Sequence, residues 1–204
     1  MKKIIKFLAV FVFSCIVAAS LTACGGNGEA IDNNPENPVT GESKILIAYF
    51  SWSGNTQQLA EMIADQTGGE RFRIVPETAY TNEDVFDRAQ SELNSGTRPP
   101  LAEHIDGGVM AEYDVIFIGF PIWWYDLPMP VWTFLEEYDL SGKTIIPFFS
   151  HNGSSSGASS ISTVRRLCPN STVESNYLSV RGSSVSGAEE QITDWLNELE
   201  MTVK

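Results

Sequence analysis

Ser51, Ser53 and Thr56 place three hydroxyls within six residues, with the Asn55 amide among them and Gly54 at the centre. No Lys or Arg lies between Lys44 and Arg71. Uncharged donors of this kind hold an anion best where a helix begins, because its first N–H groups lack partners and carry the positive end of the dipole. The Lys-Ser/Thr pair of a Walker loop is missing. The stretch therefore reads as a phosphate cradle made of neutral groups, with Gly54 letting the backbone approach the ligand. A plain Ser/Asn-rich turn with Asn55 as the helix cap is the other reading of these residues.

Two more stretches carry unusual chemistry. Pro121-Ile122-Trp123-Trp124-Tyr125-Asp126-Leu127-Pro128 holds three consecutive aromatics. They cannot all face one core, and an accessible flat ring stacks well on a flat heterocycle. The alternative is that both Trp pack on a helix or a partner subunit. Ser150-His151-Asn152-Gly153, continuing through three serines to Gly157, offers hydroxyls and amides to the polar edge of a ring, or is a flexible turn. Gly153 to Gly157 also fits Gly-x-Ser-x-Gly, the nucleophile elbow of a hydrolase. That triad order needs a later His, and the chain has only His104 and His151. No Cys/His spacing suits a metal, so none is expected.

The elements that position these stretches alternate. Apolar runs at 44–50, 71–75, 115–120 and 144–149 read as strands, followed by an interrupted last strand at Thr172-Val173 and 177–180. Helical spacing covers 56–67, 82–93, 130–138, 156–167 and 188–199. Asp106-Gly107-Gly108 reads as loop. Pro147 removes a ladder donor and implies a bulge. Continuous rather than alternating apolar strands mean both sheet faces are covered, and strand–helix alternation means a doubly wound parallel sheet. Ligands of such sheets bind beyond the carboxyl ends of the strands, at the switch point.

The first residues read as a leader. Lys2, Lys3 and Lys6 precede a short apolar core, and Leu21-Thr22-Ala23-Cys24-Gly25 resembles the lipobox of bacterial lipoproteins. Residues 1–23 are then a signal peptide and Cys24 the lipidated first residue, with 24–43 a disordered tether of about 25 Å reach. Residues 44–204 form one domain. Losing the leader removes three lysines and no acid, taking the net charge from −13 to −16. Such a surface disfavours nucleic acid and anionic lipid, leaving the acyl chain as the membrane link and a basic protein or small neutral substrate as a suitable partner. Cys168 stands alone as a small buried apolar residue, with no disulfide expected.

The Ser51-Trp52-Ser53-Gly54-Asn55-Thr56 stretch resembles the FMN-phosphate loop of flavodoxins, and the other two stretches are placed like the loops that hold the flavin ring in that family. The resemblance covers essentially all of 44–204. It implies a three-layer α/β fold with a five-stranded parallel sheet in the order 2-1-3-4-5. It also implies FMN held non-covalently by Ser51 to Thr56, by Pro121, Ile122, Trp123, Trp124 and Tyr125, and by Ser150, His151, Asn152 and Gly153. FAD is disfavoured because no dinucleotide fingerprint is present. The implied activity is electron transfer, to a redox partner protein or a quinone-like acceptor. A neutral cradle under an acidic surface opposes negative charge on the reduced ring and lowers its potential. His151 would donate to the pyrimidine carbonyl or N1, or be an exposed loop His. One departure is the lack of any aromatic between Ser150 and Gly157. Unless Tyr80, Phe86 or a second subunit supplies one, a ring face is open, which suits an FMN-dependent NAD(P)H:quinone or nitro reductase. A cofactor-free lipoprotein binding a partner through Trp123 and Trp124 is the reading from another class.

Overall fold

The computed structural model describes residues 43–153 and 156–202. The leader, Cys24 and all of the tether but Ser43 lie outside the described residues, as do Ser154 and Ser155 of the elbow-like stretch. Strands β1 (Ile45–Tyr49), β2 (Glu70–Arg73), β3 (Val115–Pro121), β4 (Thr144–His151), β5 (Thr172–Val173) and β6 (Leu178–Arg181) alternate with helices. The helices are α1 (Asn55–Thr67), α2 (Val85–Ser95), α3 (Gly107–Ala111), α4 (Met129–Glu137), α5 (Ala158–Leu167) and α6 (Glu189–Glu198). Every pairing is parallel and the order is β2-β1-β3-β4-β5, with β6 also on β4. This is the expected doubly wound α/β fold.

The continuous apolar strands divide by their period of two. Leu46, Ala48, Ile116 and Ile118 face one core, shared with α2, α3, α4 and α5. Ile47, Tyr49, Val115 and Phe117 face the other, shared with α1 and α6. Strands covered on both faces must be apolar at every position, and β3 is buried from Val115 to Phe120.

Pro147 corrects one expectation. The β3–β4 register runs unbroken from Val115 opposite Thr144 to Pro121 opposite Ser150, so β4 carries no bulge. The Ile145 carbonyl accepts from Glu174 N–H (2.9 Å) and so faces the β5/β6 edge. Alternation turns position 147 to the same edge. There β5 has ended at Val173, opposite Ile145, and β6 begins only at Leu178, opposite Phe148. The missing N–H thus faces the gap in the fifth strand position, and the irregularity sits on the partner.

Asp106-Gly107-Gly108 also differs from expectation, since it starts α3. The Asp106 carboxylate accepts from Gly108 N–H (2.8 Å) and Val109 N–H (3.4 Å), an N-cap that outweighs the two glycines. A 3₁₀ segment, Gly182–Gly187, follows β6 and was not evident from periodicity.

Candidate cofactor-binding site

The loops after β1, β3 and β4 leave the same sheet edge side by side. In the first, the cap of α1 is Gly54 at φ 90°, and Asn55 is the first helical residue, so the reading of Asn55 as the cap is corrected. A side chain at that φ would be strained. Gly54 supplies no capping side chain, and the first turn holds no acid. Ser51 is buried, and its Oγ has no hydrogen-bond partner among the described residues. Ser53 is exposed, while Thr56 is buried with Oγ1 3.0 Å from Ser150 Oγ. The cradle is less neutral than its own residues: Arg73 Nη2 of β2 donates to the Ser51 carbonyl (3.2 Å).

The second loop is a tight turn. Trp123 and Asp126 exchange two backbone hydrogen bonds of 2.9 Å, and the residues between them, Trp124 (φ 49°) and Tyr125 (φ 67°), are both left-handed. Such turns ordinarily carry Asn-Gly, and each bulky residue held there costs about 1–3 kcal/mol. Flanking contacts hold the strain. Asp126 accepts from Thr163 Oγ1 of α5 (2.9 Å) and Leu127 N–H (2.8 Å), and Ile122 N–H donates to the Ser150 carbonyl (2.9 Å). The aromatics part as their number requires. Trp123 packs edge-on to Phe50 (5.3 Å), Tyr80 (5.2 Å) and Trp52 (6.4 Å), whereas Trp124 is 43 % and Tyr125 65 % exposed.

In the third loop, Gly153 N–H donates to His151 Nδ1 (2.8 Å). A neutral His151 therefore carries its proton on Nε2. Partial burial, and next the Arg181 guanidinium, hold its pKa below the usual imidazole value.

A cavity of about 430 Å³ opens among the three loops. Trp52, Ser53, Asn55, Pro121, Ile122, Trp123, Trp124, Ser150, His151 and Asn152 line it. Ser51, Gly54, Thr56, Tyr125 and Gly153 are not among the residues that line it. The remaining wall is α2, through Val85, Phe86 and Ala89. Of the two rings that could come from this segment, Phe86 is 68 % exposed and lines the cavity. Tyr80 is committed elsewhere: its hydroxyl donates to the buried Glu92 carboxylate, and the Arg88 guanidinium stacks over its ring (4.1 Å) while donating to Glu92 (2.7 Å). Burial and then Glu92 push the phenol's pKa upward. Helical spacing identified α2 but could not aim Phe86 at this cavity.

A helix N-terminus without a capping side chain, at a switch point and beside an aromatic-walled slot, lies where doubly wound sheets hold a nucleotide. Residues 44–199 match the family described as Flavodoxin. The chain belongs to the flavodoxin family. Among solved structures, this flavodoxin domain is similar to a candidate flavoprotein from Bacteroides eggerthii, at 33 % identity over 79 % of this chain and 99 % of that one (TM-score 0.67). Another, from Bacteroides uniformis, is 34 % identical over 74 % and 98 % (TM-score 0.64). A flavoprotein from Lactobacillus acidophilus, solved in complex with FMN, is 25 % identical over 71 % and 97 % (TM-score 0.56). No curated protein matches the chain.

The residues present fit a flavin mononucleotide. The orphaned, buried Ser51 Oγ and the uncapped start of α1 suit one anionic end. The cavity volume and its few polar groups against Ile122, Trp123 and Trp124 suit a flat, polar-edged ring. Among the described residues no three His, Cys, Asp or Glu side chains cluster to hold a metal.

Proposed function

We propose that this chain binds FMN non-covalently and passes electrons through it, held at the bacterial cell envelope by lipid on Cys24. The observation that carries the reading is the unpartnered Ser51 Oγ at an uncapped helix N-terminus, opening beside a slot walled by Trp124. The FMN complex of the Lactobacillus relative supports it. Bound FMN would supply one- and two-electron redox chemistry. The chain's part is to bind and orient. Ser51, Ser53, Gly54, Asn55 and Thr56 hold the phosphate, Trp124 covers the ring, and neutral His151 offers Nε2–H to a polar edge. Ile122 and Trp123 exclude water from the slot. The partner is a redox protein with a basic face or a small quinone-like acceptor, in keeping with the acidic chain.

Adding FMN to the apoprotein tests this directly: flavin fluorescence should be quenched and the absorption band shifted, and replacing both Ser51 and Ser53 by Ala should weaken binding by at least tenfold. Equal affinity in the double variant would count against the cradle. Direct reductase activity is favoured by one observation, that the His151–Asn152 wall brings no aromatic, although Phe86 of α2 also lines the cavity. Bleaching of the bound flavin by NADH or NADPH within seconds supports it; no bleaching with either leaves the electron carrier. The anchor is tested separately. Cys24→Ala should move the protein to the soluble fraction, and retention on membranes after a high-salt wash would refute lipidation.

A further inference from the structure

β6 ends against the site. His151 and Arg181 are partners in the β4–β6 register. Leu178 and Val180 enter the core beneath α1 and α6, so alternation turns Arg181 to the opposite face, toward the third loop. The guanidinium lies against Gly153: a Cβ built on Gly153 would fall inside it, and Gly153 is at φ +103°. The next residue, Gly182, is pressed on the first loop, where a Cβ would come within 2.7 Å of Asn55 Nδ2. The end of β6 is thus wedged between the two loops. Among the described residues the Arg181 side chain makes no ion pair and no hydrogen bond.

We infer that Arg181 is a positioning residue of this site, a fixed positive charge behind the third loop that keeps His151 neutral and favours negative charge on the bound ring. The inference rests on the FMN reading above. Protonating His151 at Nδ1 would break its bond from Gly153 N–H and set a second cation beside the guanidinium. The rings on this side carry no charge: Phe149 lies on the same strand as His151 (6.2 Å between rings) and Tyr177 packs on Phe149 (5.5 Å), while the Asn55 and Asn152 amides lie near Gly182. The Asp126 carboxylate is spent on Thr163 and Leu127, and Arg73 on the Ser51 carbonyl. Burial and Arg181 are the causes of the lowered His151 pKa. This cation opposes the acidic net charge, which by itself would disfavour a reduced, anionic ring. Its charge stays constant with pH, so it acts where a titrating His could not.

Two measurements on the full chain in detergent test this. In the apoprotein carrying His104→Gln, with labelled histidine, NMR titration reads His151 alone. Arg181→Gln should raise its pKa and Arg181→Lys should keep it low. In the FMN-loaded protein, Arg181→Gln should lower the ratio of reduced to oxidised FMN affinity about tenfold, equivalent to about 30 mV for a two-electron couple, with Arg181→Lys near wild type. An unchanged His151 pKa, or an unchanged midpoint potential, in Arg181→Gln overturns the inference. Should Arg181→Gln not fold by circular dichroism, Arg181→Met keeps the stem, drops the charge and is read the same way. A wild-type chain that binds no FMN defeats the proposed function instead, and the apoprotein titration still decides whether Arg181 controls His151.

Discussion

Thr56 Oγ1 and Ser150 Oγ, ninety-four positions apart in the chain, lie 3.0 Å from each other, both buried. The bond joins the start of α1 to the end of β4, across the end of β3, which separates their strands in the sheet. Two hydroxyls hold two hydrogens, and this bond uses one. The pair can therefore give a phosphate only one hydrogen bond. Thr56→Ala and Ser150→Ala should couple. In urea unfolding, a cycle of the two variants should show an interaction of about 0.5–1.5 kcal/mol, and the FMN affinity lost in the double variant should be less than the sum of the singles. Strict additivity would mean the hydroxyls act separately.

The two tryptophans should part in their effects. Trp123 is packed edge-on against three rings, so Trp123→Ala should destabilise the apoprotein by about 3 kcal/mol. Trp124 is 43 % exposed and lines the cavity, so Trp124→Ala should change stability by under about 1 kcal/mol while costing tenfold or more in FMN affinity. The reverse pattern would assign ring stacking to Trp123.

Tyr125 sits at φ 67° with most of its side chain in solvent, so little burial offsets its strain. Tyr125→Gly should raise apoprotein stability by about 1 kcal/mol, measured by the urea midpoint. A fall in the midpoint would show that the exposed ring makes a stabilising contact.

Stability should depend on pH through His151. Its folded pKa is lowered, chiefly by burial and then by Arg181, against about 6.5 in the unfolded chain. The unfolded state then binds the extra proton first. Stability is full above about pH 6.5 and falls as pH drops from there toward the folded pKa. His151→Gln should flatten the urea midpoint between pH 7 and 6 relative to wild type, while leaving the steeper carboxylate-driven loss below pH 5. An identical slope in that window would show that His151 titrates normally.

Glu92 holds the α2 wall. Its carboxylate accepts from Tyr80 and Arg88, and Arg88 also donates to the Thr78 and Ala79 carbonyls (3.0 and 3.1 Å). Glu92→Ala leaves the buried Tyr80 hydroxyl without its partner and takes the carboxylate from the half-buried Arg88 Nε, and should cost about 3 kcal/mol, with faster proteolysis of the 76–84 segment. Unchanged stability and protease resistance would show that packing alone holds the wall.

What the sequence determined by itself was local. Apolar runs without alternation imply strands covered on both faces, because burying both faces leaves no position for a polar side chain, and β1, β3 and β4 show it. The Ser51–Thr56 stretch was legible because a strand, a hydroxyl-rich turn and a helix start all lie within one short segment, where torsions and caps act between neighbours. The tertiary structure decided whatever depends on residues far apart in the chain. Thr56 meets Ser150 only through the strand order, Phe86 reaches the cavity only because α2 joins the core that β1 and β3 share with α4, and Pro147 avoids a bulge only because the edge strand breaks opposite it. Arg181 is remote in the chain from Gly153, and Arg73 from Ser51, so the loops' own composition showed neutral groups where the folded site gathers cations. Periodicity reports which face of an element is buried; which side chains meet there depends on register and crossover, and those are fixed only when the whole sheet closes.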